Sequence, residues 1–223
     1  MLVYQPQNAT ALPVIALHGC GGPFKKRDRQ WAQLLTAQGH TVIFPNSFAS
    51  RGIGGDCKAA THGASAYGPR RLDALTAAAW AAVQQPGGVL LMGWSDGGTT
   101  VLAALNNPPA GLIRGAIAFY PACTRTMKMA DWAPSAPLLI LMGADDDWTP
   151  PEPCQTLAAR HPSIQMTLYP GAYHDFDVPN DPVHIITGLP YTKFHNHQAH
   201  AGGNPSARAA ALLAVPAFFN QVK

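Results

Sequence analysis

Gly93-Trp94-Ser95-Asp96-Gly97 stands between two segments of opposite character. Val89-Leu90-Leu91-Met92, opened by Gly87-Gly88, is a short apolar run that reads as a buried strand. Gly98-Thr99-Thr100-Val101-Leu102-Ala103-Ala104-Leu105 reads as the first turns of a helix. Strand, sharp turn and helix therefore follow one another, with a serine at the turn. Such a turn strains the serine backbone and lifts its hydroxyl clear of the sheet, and glycines two residues to either side let strand and helix approach closely. A bare G-x-S-x-G is a weak signal in a chain with 21 glycines; in this setting it predicts a nucleophile at Ser95.

A serine hydroxyl is a poor nucleophile until an imidazole takes its proton, and the imidazole needs a carboxylate to fix its tautomer. On a strand–turn–helix nucleophile these partners follow in the order acid, then histidine, each just past a strand. Pro137-Leu138-Leu139-Ile140-Leu141-Met142-Gly143 is a strand pattern that runs into Ala144-Asp145-Asp146-Asp147-Trp148-Thr149-Pro150. Ile164-Gln165-Met166-Thr167-Leu168-Tyr169-Pro170 is another, and it ends in Gly171-Ala172-Tyr173-His174. His174 is the histidine that follows a strand late in the chain, whereas His18 ends an earlier one. Among the three consecutive aspartates Asp146 is the favoured acid and Asp147 the second choice; all three would also suit the start of the helix beyond Pro151. Pro13-Val14-Ile15-Ala16-Leu17 empties into His18-Gly19-Cys20-Gly21-Gly22, a loop of the kind that supplies one oxyanion N–H, the residue after the nucleophile supplying the other. Those donors would be Cys20, or Gly21, together with Asp96.

The same alternation runs through the chain. Strand-like runs at 13–17, 41–45, 88–92, 116–120, 138–142 and 165–169 are mostly continuous and apolar, as in parallel strands covered on both faces. Helical patterns lie between and after them at 28–38, 69–85, 96–106, 151–160 and 206–222, the second with Leu72, Leu75, Ala79, Trp80 and Val83 on one face. This predicts an α/β fold with a mostly parallel central sheet, helices on both faces, and a site at the strands' carboxyl edge. The chain shows no repeat and no dividing linker, so residues 1–223 are expected to form one domain.

His18-Gly19-Cys20-Gly21-Gly22, Gly93-Trp94-Ser95-Asp96-Gly97-Gly98, Phe119-Tyr120-Pro121, Gly143-Ala144-Asp145-Asp146-Asp147-Trp148-Thr149-Pro150 and Tyr169-Pro170-Gly171-Ala172-Tyr173-His174-Asp175-Phe176 resemble the dienelactone hydrolase family of α/β-hydrolases. The resemblance runs from about Leu2 to the last helix and keeps the family's motif order. It implies Ser95 as nucleophile, Asp146 as acid and His174 as base. Two departures stand out. The enzymes that give the family its name use a cysteine nucleophile and carry a glutamate in the loop after the first His-Gly; here the nucleophile is Ser95, and residues 19–26 hold no glutamate. The resemblance thus implies ester hydrolysis rather than a dienelactone substrate.

Hydrophobic residues make up 47% and charged residues 12% of the 223, which excludes disorder and suits one sizeable core. A net charge of +3 is too small for an electrostatic grip on nucleic acid, and Lys25-Lys26-Arg27-Asp28-Arg29 reads as a solvated helix start. No apolar run approaches the ~20 residues that span a bilayer, and Met1-Leu2-Val3-Tyr4 shows no charged-then-apolar leader with a cleavage site, so an exported protein would be one whose leader is missing from this sequence. Given the usual strand order of this fold, Cys20 would fall near Cys57 and Cys123 near Cys154. Two disulfides would indicate an oxidising compartment such as a periplasm; four buried thiols would indicate the cytoplasm. His184, His195, His197 and His200 lie among glycines and prolines and read as a surface loop at the pocket mouth, not as a metal site. No cofactor is required by this chemistry.

Phe24, Phe48, Trp94, Tyr120, Trp132, Trp148 and Tyr173 are placed to line an apolar pocket, although core packing would equally account for most of them, Trp94 first. Arg51 is the cation placed to meet a substrate carboxylate, with a loop-holding hydrogen bond as the other reading. The sequence thus predicts a hydrolase of small-molecule esters or lactones. A peptidase with the same three groups, or a non-catalytic binding protein on the same scaffold, are the alternatives. Oligomeric state is not legible.

Overall fold

A computed structural model of the chain describes residues 1–60 and 63–222. Its centre is a seven-stranded sheet: β1 (Leu2–Tyr4), β2 (Ala11–Leu17), β3 (His40–Phe44), β4 (Val89–Trp94), β5 (Ile113–Phe119), β6 (Leu138–Gly143) and β7 (Ile164–Tyr169), in the spatial order β1-β3-β2-β4-β5-β6-β7. Only the edge strand β1 is antiparallel to its neighbour, pairing Leu2 with Phe44. Every residue of β4 and of β6 is buried, which is why their apolar runs are unbroken: helices cover both faces. The chain is thus an α/β-hydrolase fold.

The described residues also form six α-helices: α1 (Lys25–Thr36), α2 (Pro69–Gln84), α3 (Asp96–Ala104), α4 (Thr124–Lys128), α5 (Glu152–Arg160) and α6 (Pro205–Gln221). The α1 helix starts where Phe24 N–H donates to the Asp28 carboxylate at 2.8 Å, and α6 where Asn204 accepts from Ala207 N–H, with Pro205 in the first turn. The path from β2 leads to β3 on one side, and that from β4 leads to β5 on the other. The order therefore reverses between β2 and β4, and a crevice opens beyond their carboxyl ends. The loop after β2 and the turn after β4 face one another there.

Three expectations are corrected. The core face of α2 is Arg70, Ala74, Ala77, Ala78 and Ala81, not the face of Leu72, Trp80 and Val83, which stay exposed. Alanines let α2 lie close on α3 and on β2 and β4, where larger side chains would hold it off. Arg27 and Asp28 are buried rather than solvated. The histidine-rich segment is not a plain loop: it contains an antiparallel hairpin, β8 (His184–Thr187) with β9 (Gln198–Ala201). Ala201 forms a bridge with His174, and Gly202 N–H donates to the His174 carbonyl at 2.8 Å, so the hairpin is fastened to the histidine's own backbone.

Candidate active site

Ser95 closes β4 and precedes α3 with φ 54°, a backbone region that side chains disfavour. Its two glycines are sterically required. A Cβ on Gly93 would lie 2.3 Å from the Gly97 carbonyl oxygen, and one on Gly97 would lie 2.1 Å from that of Leu17. The strained turn presents Oγ 2.9 Å from His174 Nε2. His174 Nδ1 stands 2.8 Å from Asp146 Oδ2, an atom that can only accept. Nδ1 therefore carries the proton and donates to Asp146, leaving Nε2 to accept from the Ser95 hydroxyl. The three groups, on loops after three different strands, form a continuous chain of hydrogen bonds.

Asp146 is fully buried and well supplied. Its Oδ1 accepts from Trp148 N–H at 2.9 Å and Thr149 N–H at 2.8 Å. The Thr149 hydroxyl lies 3.0 Å from Asp146 Oδ2. Burial disfavours the imidazolium of His174, but the Asp146 charge and hydrogen bond outweigh it and raise the pKa above the ordinary imidazole value. Tyr120 and Trp148 pack their rings 4.5 and 4.6 Å from the imidazole and limit water around it.

The other aspartates go elsewhere. Asp145 is exposed. Asp147 holds His200: Oδ1 accepts the His200 N–H at 2.8 Å and Oδ2 meets Nδ1 at 2.7 Å. His200 in turn stacks on Tyr173 at 4.8 Å, so Asp147 pins β9 beside the site. His184 and His197 spend Nδ1 on the carbonyls of Pro182 and Leu189. Arg51 is bound at 2.7 and 2.9 Å by both oxygens of Asp73, and to the Ser47 carbonyl, so the loop-holding reading of this cation describes it.

The glycine-rich loop lies against the turn: a Cβ on Gly19 would be 3.5 Å from Ser95 Cβ. Cys20 is bridged to Cys57, and Cys123 to Cys154. Asp56 N–H donates to the Cys20 carbonyl at 2.9 Å, so the 54–57 segment braces the loop. Asp96 begins α3, where the N–H has no carbonyl of its own helix to bond. His18 accepts from Ser47 N–H through Nε2 at 3.2 Å, and so donates through Nδ1 to the Gly19 carbonyl at 2.8 Å. Burial, with help from the Arg70 charge, lowers its pKa to about 4 and keeps the ring neutral.

Sequence reasoning missed a buried cluster beneath this site. Asp177 accepts from Trp31 Nε1 at 2.7 Å, Trp94 Nε1 at 2.9 Å and Tyr120 Oη at 2.7 Å. The Arg27 guanidinium lies 4.5 Å over the Trp94 ring and 3.6 Å from Asp175. Trp94 thus packs under the turn. The only hint in the sequence was the charge run at 25–29, and nothing in it points to Asp177.

A strained serine joined to a histidine and a carboxylate at the carboxyl edge of a mostly parallel sheet places the chain among the α/β-hydrolases. The family model described as the dienelactone hydrolase family matches residues 1–223, and the chain belongs to that family; it is a hydrolase. No curated protein matches the sequence. Among solved structures it is similar to a candidate dienelactone hydrolase from Klebsiella pneumoniae subsp. pneumoniae (21% identity, TM-score 0.67, covering 97% of this chain and 90% of that one). It is also similar to a dienelactone hydrolase-like promiscuous phosphotriesterase from metagenomic libraries (19%, 0.62, 98% and 87%). An esterase from Thermogutta terrifontis is a third (17%, 0.56, 78% and 79%). At these identities the likeness is one of fold.

Proposed function

We propose that the protein is a serine esterase that cleaves small carboxylic esters or lactones through an acyl-enzyme. The observation that carries this is the pair of contacts at His174, 2.9 Å to Ser95 Oγ and 2.8 Å to Asp146 Oδ2. Ser95 Oγ attacks the ester carbonyl as its proton passes to His174 Nε2. The tetrahedral oxyanion is held by the N–H groups of Cys20 and Asp96, each such donor contributing about 3–4 kcal/mol in the transition state. The imidazolium, stabilised by Asp146, protonates the leaving alkoxide; water, activated by the same imidazole, then releases the acid and restores Ser95. For a lactone the freed hydroxyl remains on the acyl chain throughout, and hydrolysis of the acyl-enzyme releases one hydroxy acid. No metal or cofactor takes part.

That the solved structures sharing this fold include an esterase supports reading esters rather than amides as the substrates. Trp148, whose ring packs on His174, and Tyr173, which precedes His174 in the chain and stacks on His200, are the proposed pocket walls. One core cluster extends from β2 to α6, which supports a single domain. Two disulfides support a periplasmic or extracellular setting. The test is labelling by a fluorophosphonate probe. Labelling lost in Ser95→Ala, followed by faster turnover of p-nitrophenyl esters than of peptide anilides, supports the reading. No labelling would leave a binding protein on a hydrolase scaffold, and preference for the anilides would make it a peptidase.

A further inference from the structure

We propose that Arg70 is a positioning residue that sets both halves of the oxyanion site at once, an inference that rests on the esterase reading above. The two N–H donors belong to different elements on opposite sides of the strand-order reversal. Cys20 follows β2, and Asp96 opens α3. Both must converge on one oxygen within about 2.7–3.1 Å, and no stretch of main chain joins them directly.

Arg70, on α2 and only 1% exposed, spans the gap. One arm of its guanidinium donates to the His18 carbonyl and the other to the Asp96 carboxylate. The next carbonyl, that of Gly19, is taken by His18 Nδ1 at 2.8 Å. A trans peptide is planar, with its C=O and N–H directed oppositely, so holding the Gly19 carbonyl aims the Cys20 N–H the other way. On the second half, the grip on Asp96 fixes the residue whose own N–H is the partner donor.

The two halves touch at the place where Arg70 binds. A Cβ on Gly97 would lie 2.6 Å from the same His18 carbonyl oxygen. Phe48 packs against both His18, at 4.6 Å, and the Arg70 guanidinium, at 5.3 Å. Arg71 completes the hold on α3 from the far end, donating to the carbonyls of Ala103 at 3.0 Å and Asn106 at 2.8 Å. A buried cation on a face otherwise made of alanines does little for stability alone. A rigid planar fork that reaches two acceptors is what the position supplies, and lysine lacks it.

The test compares p-nitrophenyl acetate with its thiono analogue, whose sulfur is a weaker acceptor and gains less from the N–H donors. Arg70→Lys and Arg70→Met should lower kcat on the oxygen ester by about 10–100-fold with KM little changed, the range expected when such donors are displaced. The oxygen-to-sulfur preference in kcat/KM should fall about tenfold, since the thiono ester has less to lose. Asp96→Ala keeps the backbone donor, removes only the carboxylate, and reads the same ratio if the Arg70 variants fail to fold. Equal losses on both esters, or an unchanged ratio in Asp96→Ala, would overturn the assignment of Arg70 while leaving the esterase intact. Unmodified protein without Ser95-dependent turnover would overturn both.

Discussion

Asp146 and Asp147 are neighbours in the chain yet hold different histidines, His174 and His200. Successive side chains past a strand point in different directions, so three adjacent carboxylates could not all be spent on one imidazole. Asp146→Asn tests the assignment. The amide would present either an N–H to Nδ1, forcing the proton onto Nε2, or a weaker acceptor; the first removes the base. By analogy with other such triads kcat should fall roughly 10⁴-fold. The pH profile gives a second reading. The base must be neutral, so kcat/KM falls as pH drops through the pKa of His174, which the Asp146 carboxylate raises against burial. The acid limb of the native enzyme should therefore lie above the ordinary imidazole value, and in the residual activity of Asp146→Asn it should move to lower pH. An unmoved limb would mean that Asp146 does not set this pKa. Ser95 and His174 could be read from the sequence because each sits in a local strand-to-turn signature. Arg70 and Asp177 could not, because a charge is buried only where partners remote in sequence meet it: Asp177 finds Trp31 and Trp94, and Arg70 finds His18 and Asp96.

At the scale of elements, the six parallel strands of the sheet were legible, and the short edge strand β1 and the helix faces were not. Continuous apolar runs identify β4 and β6 whichever way they pack, but α2 carries two candidate faces, and its alanines win because close packing on α3 requires small side chains. The β8–β9 hairpin escaped detection because its strands are four residues each and its register is fixed from outside, by Asp147 on His200 and His174 against Ala201. Asp177 does the corresponding work beneath the site, joining α1 through Trp31, β4 through Trp94, the end of β5 through Tyr120, and the loop after His174. Burial pushes its carboxyl pKa up, while Arg27 and the hydrogen bonds from Tyr120 and Trp31 oppose that. Asp177→Ala would strand three buried donors and remove one of the carboxylates around Arg27, which keeps Asp28 at 3.3 Å and Asp175 at 3.6 Å. It should cost about 3–5 kcal/mol, and at about 2–4 °C per kcal/mol for a chain of this size lower Tm by roughly 10 °C in a thermal melt. The exposed Asp131→Ala should change stability by less than about 0.5 kcal/mol. Equal Tm values for the two variants would show that the cluster is not a structural tie.

For the whole molecule, the reversal of strand order between β2 and β4 brings distant parts of the chain to one crevice, and the two disulfides tie that edge down. Their pairing followed from topology, because each cysteine lies just past one of the sheet's strands or in the connection that follows; their oxidation did not follow, since spacing alone suits thiols as well. They span 37 and 31 residues, and loop-closure entropy assigns each about 4 kcal/mol of stabilisation relative to the open unfolded chain. The similar spans predict similar stabilities but different functional effects. Cys123–Cys154 joins the start of α4 to α5, whereas Cys20–Cys57 fastens the loop whose N–H is the proposed oxyanion donor, with Asp56 N–H on the same residue's carbonyl at 2.9 Å. Replacing Cys123 and Cys154 together by serine should lower Tm and leave kcat on a p-nitrophenyl ester, measured well below Tm, within about twofold, because that bridge touches neither the glycine-rich loop nor the start of α3, which carry the proposed N–H donors. Replacing Cys20 and Cys57 together should lower Tm by a comparable amount and also lower kcat about tenfold or more, as expected when one donor is loosened. Thiol titration of the denatured native protein without reductant should find no free thiol among the four cysteines. Four titrating thiols would remove the basis for both effects, and equal kcat in the two double variants would separate the 20–57 bridge from the oxyanion site.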